Sequence, residues 1–317
     1  MSEANDWLWD ILICPECGGP LARGSAESEI ACGNQACGYR SRREGRLFDL
    51  LPRELDRHQA AEHEFRATVL ERYAAAAGWL DASGLTQFQQ LNILTNYPFT
   101  TQFAFFRDRF VKEHRLAGRG LEIGGATGEA SGFIKLFYPD TEMVTCDVAP
   151  VNVRYGAQLA DLLHLQTDYF VMADAERLPF RPASFDFLFS SGMLHHLGDI
   201  RRGLQKGYDT LKPGGRWYVV NELSIGSLFR LYWNSRWGKK GSQARERGVR
   251  ENSYTFQEWQ AFFEEQGFRI LDSRFDRSPA SAASWPDQVY YAIVSRLPIA
   301  LIKMGIPCNV SFVLERA

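Results

Sequence analysis

Four cysteines open this chain in two pairs, Cys14-Pro15-Glu16-Cys17 and Cys32 with Cys37, each pair followed by glycine. Paired knuckles of this kind turn both thiolates toward one point, and four thiolates suit tetrahedral zinc. A C-x2-C redox pair and a disulfide framework are the competing readings. Two pairs in a chain of intracellular character favour zinc. With no open coordination position its role is structural. The segment is poor in apolar residues, so the metal would supply folding energy. On this reading Cys14→Ser releases zinc and loosens the N-terminal module while the remainder stays folded.

A second constellation lies further on. Leu121-Glu122-Ile123-Gly124-Gly125-Ala126-Thr127-Gly128-Glu129-Ala130 reads as a buried strand, a tight turn of small residues and a helix start. Such a turn lets a ligand approach the backbone. Glu122 stands inside the apolar strand end, where a carboxylate needs a partner; a cationic or hydroxyl-rich ligand is one candidate. Asp147 closes the next strand, where a carboxylate can accept from a ribose diol. Asp174 follows the third, where one can accept from the exocyclic amine of adenine. Two separated acceptors around one turn suit an adenosine moiety. The turn lacks the G-x-G-x-x-G spacing that brings a pyrophosphate to a helix N-terminus. His195, His196 and Glu222 also fall near strand ends and are the candidate bases, a neutral imidazole being suited to that task. The alternative is that Leu194-His195-His196-Leu197 merely starts and packs a helix.

These residues need a scaffold, and the hydrophobic pattern supplies one. Strands are expected over Gly120–Ile123, Glu142–Asp147, Tyr169–Ala173, Phe185–Ser190 and Arg216–Asn221, with helices over Glu129–Phe137, Val151–Leu163 and Ile200–Leu211 between them. This alternation predicts an α/β fold, a parallel sheet with helices on both faces, binding its ligand beyond the carboxyl ends of the strands. Thr255–Gln266 reads as a helix with a Thr255/Glu258 capping box and Gly267 at its C′ position. Strands Phe268–Phe275 and Cys308–Leu314 follow. Before the sheet, residues 53–115 read as a helical linker or cap, with a helix over Glu62–Ala77. Phe103, Phe106 and Phe110 recur there at helical spacing as a core stripe, and Tyr97, Phe99 or Phe103 could line a pocket.

The N-terminal segment resembles the zinc ribbon of the Trm112-like family and that of bacterial rRNA guanine methyltransferases. Its matching residues are Cys14 to Leu21, Cys32, Cys37 and the exit strand Glu44 to Pro52. Residues 120–222 resemble a class I S-adenosylmethionine-dependent methyltransferase of the small-molecule type. Those matches are Leu121 to Gly128, Asp147, Asp174-Ala175-Glu176-Arg177-Leu178-Pro179-Phe180, Phe185 to Ser190, Leu194 to Leu197 and Leu211-Lys212-Pro213-Gly214-Gly215. The resemblance implies a Rossmann-like seven-stranded sheet whose last strand is antiparallel. It implies S-adenosylmethionine as cofactor, with Glu122 and Gly124 near the methionine ammonium and the backbone of Gly125, Ala126 and Gly128 alongside. Asp147 with Val148 would hold the ribose, Asp174 with Ala175 the adenine, and Ser190 and Ser191 the methionine end. Ala126 stands where the family commonly has glycine, and its methyl would crowd the methionine moiety.

The expected organisation is a ribbon over 1–52, a helical cap over 53–115 and a methyltransferase domain over 116–317, with insertions at 223–253 and 280–306. The first insertion carries Phe229, Tyr232, Trp233 and Trp237, then Lys239, Lys240, Arg245, Arg247 and Arg250. It reads as a lid or acceptor-binding segment, or as a solvated helix with an aromatic inner face. The apolar stretch Trp285–Ile306 reads as cover over the site rather than a membrane-docking surface. A net charge of −2 over 317 residues gives no polyanion-binding signature. No secretory signal and no run of about 20 apolar residues is present, so a cytoplasmic protein is expected. The leading expectation is methyl transfer to a small-molecule or lipid-like acceptor. The alternatives are an RNA methyltransferase gripping nucleic acid through the ribbon and the Lys239–Arg250 bases, and a non-catalytic scaffold whose ribbon binds a protein partner.

Overall fold

The computed structural model describes residues 7–65, 116–162, 167–227, 229–230, 248–277 and 285–317. The stripe at Phe103, Phe106 and Phe110, the pocket candidates Tyr97 and Phe99, and the insertion residues Tyr232 to Arg247 lie outside them.

The βα alternation produces strands β5 (Arg119–Ile123), β6 (Glu142–Asp147), β7 (Tyr169–Met172), β8 (Phe185–Ser191) and β9 (Leu211–Ser224), then β10 (Phe268–Asp276) and β11 (Cys308–Arg316). They lie in the order β7-β6-β5-β8-β9-β11-β10. Neighbours from β7 to β9 are parallel, and β11 runs antiparallel between β9 and β10. The strand order reverses between β5 and β8, so a crevice opens there at the carboxyl ends.

Side chains alternate across the sheet and feed two cores. Trp217 and Val219 of β9 enter the core that also holds Leu204, Trp259 and Phe263, whereas Tyr218 and Val220 enter the one that holds Ile134. Helices α2 (Glu129–Phe137) and α3 (Pro150–Leu162) therefore cover one face, and α4 (Ile200–Thr210) and α5 (Phe256–Glu265) the other. The expected capping box of α5 forms: Thr255 Oγ1 accepts from Glu258 N at 3.1 Å and Glu258 Oε2 from Thr255 N at 2.7 Å. Gly267 follows in the left-handed region, φ +86°.

The cysteine segment is more deeply joined to this fold than its sequence suggests. Helix α1 (Leu8–Ile11) is followed by β1 (Leu21–Arg23), β2 (Glu29–Cys32), β3 (Arg40–Glu44) and β4 (Leu47–Asp49). Strand β4 pairs parallel with the β7 edge, which extends the sheet to eleven strands among the described residues. Trp7 meets Tyr169 edge-on with ring centroids 5.4 Å apart, and Leu8, Leu12, Ile30 and Phe48 are wholly buried in the larger core. The segment's shortage of apolar residues is met by the sheet it joins.

The helix expected from Glu62 begins at residue 57 instead. Asp56 caps it, its Oδ1 accepting from His58 N at 2.7 Å and Gln59 N at 2.9 Å. The stretch expected to cover the site forms α6 (Trp285–Val294) and α7 (Ile299–Lys303). Val294 and Ile302 anchor these helices in the core, and none of their described residues lines the cavity described below. Among the described residues no helix is long and apolar enough to cross a membrane.

Candidate active site

A cavity opens at the carboxyl ends of β5 to β8. Its walls are Gly124 and Ala126 of the turn, Cys146, Asp147 and Val148 at the end of β6, Ala173 to Glu176 after β7, and Ser191 to Met193 at the end of β8. His196, Leu197, Gly198 and Arg250 close one side, and Asp56, His58, Gln59 and Glu62 another.

The turn is held from behind. Glu122 is buried, and its Oε2 accepts from Ser131 N at 2.9 Å, Ser131 Oγ at 2.5 Å and Thr145 Oγ1 at 3.3 Å. A Cβ on Gly125 would come within 2.7 Å of the Glu122 carboxyl carbon, so glycine is required for this approach. A Cβ on Gly124 would collide with Met193 Cγ at 2.1 Å. Glu122 is absent from the cavity wall. Its partners lie on the first turn of α2 and on β6, so the carboxylate expected near a ligand ammonium also braces the turn. Gly125 and Gly128 likewise support the wall without lining it. Ala126 takes φ +46°, a left-handed conformation that L residues rarely adopt.

Both predicted acceptor carboxylates reach the cavity. Asp147 Oδ2 accepts from Ala126 N at 3.0 Å, and Oδ1 from Ala149 N at 2.8 Å and Asn152 Nδ2 at 3.3 Å. Asp174 Oδ1 accepts from Glu176 N at 2.8 Å. Val148, Ala175 and Ser191 line the cavity as well. Ser190 does not: it is fully buried, and its Oγ accepts from Trp217 Nε1 at 3.0 Å, because alternation along β8 turns it into the core.

The His-His-Glu group separates into different positions. Glu222 is wholly buried; Oε1 accepts from Met193 N at 3.0 Å and Leu194 N at 2.8 Å, and Oε2 lies 2.8 Å from His195 Nδ1. Neither it nor His195 lines the cavity. Only His196 does, with Nδ1 2.7 Å from the carbonyl oxygen of Arg250. Burial works to lower the His195 pKa, but the charge and hydrogen bond of Glu222 outweigh it and hold the group above its usual value. Burial, then the neighbouring His195, pushes His196 below the usual value. Burial also raises Glu176, although Asp199 N and Gly198 N donate to its carboxylate.

Sequence patterns missed the residues brought in from afar. The helix at 57–65 reaches the site because His58 Nδ1 bonds the Gly248 carbonyl at 2.8 Å and His63 Nε2 bonds the Val148 carbonyl. No motif marks Asp56, Gln59 or Glu62. Cys146 is one residue before an expected ligand, and Met193 one before the expected histidine turn, so proximity alone could have found them. Away from the cavity, the four cysteines meet: Cys14 and Cys37 Sγ lie 3.8 Å apart, Cys17 and Cys32 Sγ 3.5 Å, all within 4.8 Å of one another.

Comparison with known proteins agrees with this architecture. Residues 121–219 match the family model described as "Methyltransferase domain". The chain is 34% identical over 113 residues to the biotin biosynthesis bifunctional protein BioHC of Cellvibrio japonicus, covering 36% of this chain and 21% of that one. It is 32% identical over 102 residues to the ubiquinone/menaquinone biosynthesis C-methyltransferase UbiE of Pasteurella multocida, covering 32% and 38%. It thus spans well under half the length of either relative. Geranyl diphosphate C-methyltransferase from Streptomyces coelicolor superposes with a TM-score of 0.50 at 12% identity, covering 66% of this chain and 76% of that one. A geranyl diphosphate methyltransferase solved with SAM gives a TM-score of 0.53, also at 12% identity, covering 76% and 94%. The matched residues run from β5 to β9 of the sheet ordered 7-6-5-8-9-11-10, so the methyltransferase-domain match falls on the part of this chain that builds the cavity.

Proposed function

We propose that this chain transfers the methyl group of S-adenosylmethionine to a small-molecule or lipid-like acceptor. The observation that carries the reading is the single cavity that joins Asp147 and Asp174 on one side to Ser191, Gly192, Met193 and His196 on the other. Asp147 holds the ribose diol, its orientation preset by Ala126 N and Ala149 N. Asp174 and the backbone of Ala175 take the adenine. Gly124 and Ala126 border the methionine moiety. The sulfonium makes the methyl electrophilic, so the protein's task is to hold an acceptor in line with the methyl–sulfur bond and exclude water. Where the acceptor must lose a proton, His196 is the group placed to take it: its Nδ1–H donates to Arg250 O, which leaves Nε2 as the acceptor atom. His195 and Glu222 act behind it as positioning residues. The names of UbiE and geranyl diphosphate C-methyltransferase refer to quinone biosynthesis and to an isoprenoid diphosphate, which supports a lipid-like acceptor here.

The four cysteines suit a structural zinc. Thiolates sharing one zinc at about 2.3 Å stand about 3.8 Å apart in a tetrahedron, and the observed 3.8 and 3.5 Å fall close to that. The ion would bind Cys14, Cys17, Cys32 and Cys37 and tie the β1–β3 hairpins to the sheet.

Calorimetry with S-adenosylmethionine and with its demethylated product tests the cofactor reading. The native chain should bind both, and Asp147→Ala should weaken binding by about 1.5–3 kcal/mol, the range for hydrogen bonds to a charged group. A folded native chain that binds neither compound defeats the proposal, and an unchanged affinity in Asp147→Ala defeats the ribose assignment.

A further inference from the structure

We propose that His195, His196 and Glu251 form a binding site for a divalent transition-metal ion beside the acceptor end of the cavity. One ligand atom from each lies within 4.8 Å of the other two. The hydrogen bonds behind the histidines determine which atoms these are. Glu222, wholly buried and accepting from two backbone N–H groups, faces Nδ1 of His195 at 2.8 Å. The carbonyl of Arg250 can only accept, so Nδ1 of His196 carries the proton of that 2.7 Å contact. Each imidazole is thereby oriented with Nε2 as its remaining ligand atom. A carboxylate or backbone carbonyl behind Nδ1 is the arrangement that supports metal-bound histidine.

The third ligand is pinned by its neighbours. Arg250 O takes His196 Nδ1, and Asn252 N donates to His195 O at 3.0 Å. Glu251 between them is thus carried on backbone fastened to the histidine turn at both sides. Its Oε2 stands 3.6 Å from His195 Nε2. That is too long for a hydrogen bond. It suits two atoms that share an ion at about 2.1 Å from each, for which separations of roughly 3–4 Å are expected. Glu62, which lines the cavity, adds negative charge felt by both imidazoles.

Two imidazole nitrogens and one carboxylate oxygen select zinc, manganese, iron(II), cobalt or nickel over magnesium and calcium. Three protein ligands leave a position open for water or an acceptor oxygen. With the ion in place His196 no longer takes a proton, and an oxygen acid bound to the ion becomes acidic instead. That role rests on the methyl-transfer reading; binding of the ion does not.

Cobalt(II) separates this site from the cysteine cluster, since thiolate ligands give intense sulfur-to-metal charge-transfer absorption and a nitrogen/oxygen site does not. The full chain, stripped of metal and titrated with cobalt(II), should bind one equivalent that adds only weak visible bands. Glu251→Gln, whose side chain is 38% exposed, should weaken that equivalent by roughly tenfold or more without altering the thermal melt. His196→Gln should do the same, and neither should change the charge-transfer bands. Equal cobalt content in the native chain and both variants, or cobalt seen only through thiolate charge transfer, overturns the proposal. The readout involves no methyl transfer, so its failure is separate from any failure of the cofactor reading.

Discussion

At Ala126 a residue with a Cβ occupies a glycine-like conformation in the wall of the cavity. Left-handed backbone costs an L residue about 1–2 kcal/mol, and the methyl points toward space that the cofactor would use. Glycine removes both terms but adds about 0.4–1 kcal/mol of unfolded-state entropy. Ala126→Gly should therefore raise urea stability by between about 0 and 1.6 kcal/mol and tighten S-adenosylmethionine binding, read by calorimetry. Weaker binding would mean that the methyl packs against the ligand rather than crowding it. Glu122 teaches a related lesson. A carboxylate in an apolar strand end was legible as a group in need of a partner, but not which partner. Ser131 and Thr145 supply it because α2 starts directly over β5 and β6.

At the scale of the element, β11 shows how a strand that closes the sheet responds to its surroundings. Cys308 begins it, buried, with Sγ donating to Asp276 O at 3.0 Å across the pair with β10. Burial, and after it the charge of Asp276, pushes this thiol up to about 12 from 9.0. A group whose pKa is raised on folding stabilises the fold fully below its unfolded value and loses that contribution as pH rises toward the folded value. Stability should therefore fall from about pH 9 upward. Tyr218, pushed up to about 12 by burial, acts in the same direction. Cys308→Ala should flatten part of the fall, read as urea midpoints across the alkaline range; an unchanged slope would show that the thiol contributes nothing to it.

On the scale of the whole molecule, the ribbon is a continuation of the sheet. Strand β4 lies along β7, and Leu8, Leu12, Ile30 and Phe48 share the core with Val171 and Phe180. The expectation that disrupting the ribbon leaves the sheet intact is therefore revised. Cys14→Ser should lower the main melting transition by roughly 5 °C or more rather than produce a separate early one. Calorimetric scanning distinguishes the two, and an unshifted main transition would show that the shared core transmits no stability.

Much of this organisation was legible along the chain because it is local. Strand and helix periods, the capping box at Thr255 and the turn at Gly124 depend on residues within a few positions of one another. Asp147 and Asp174 could be placed in the cavity because each stands at the carboxyl end of a strand of a parallel sheet, and such ends converge. Ser190 could not be told from Ser191 by the motif they share, since one step along β8 reverses the face. Nor could the pairing of His195 with Glu222, or the approach of Glu251 and Glu62, be read from any spacing. Those contacts join β8 to β9 and to segments far away in sequence, and they form only when the sheet closes. By itself the sequence determined a cavity-facing turn and the two acids beside it, because backbone geometry carries each to a strand end. Tertiary structure alone decided which polar groups face the cavity and which are spent on holding it, because that depends on what each buried donor and acceptor finds across the packed elements.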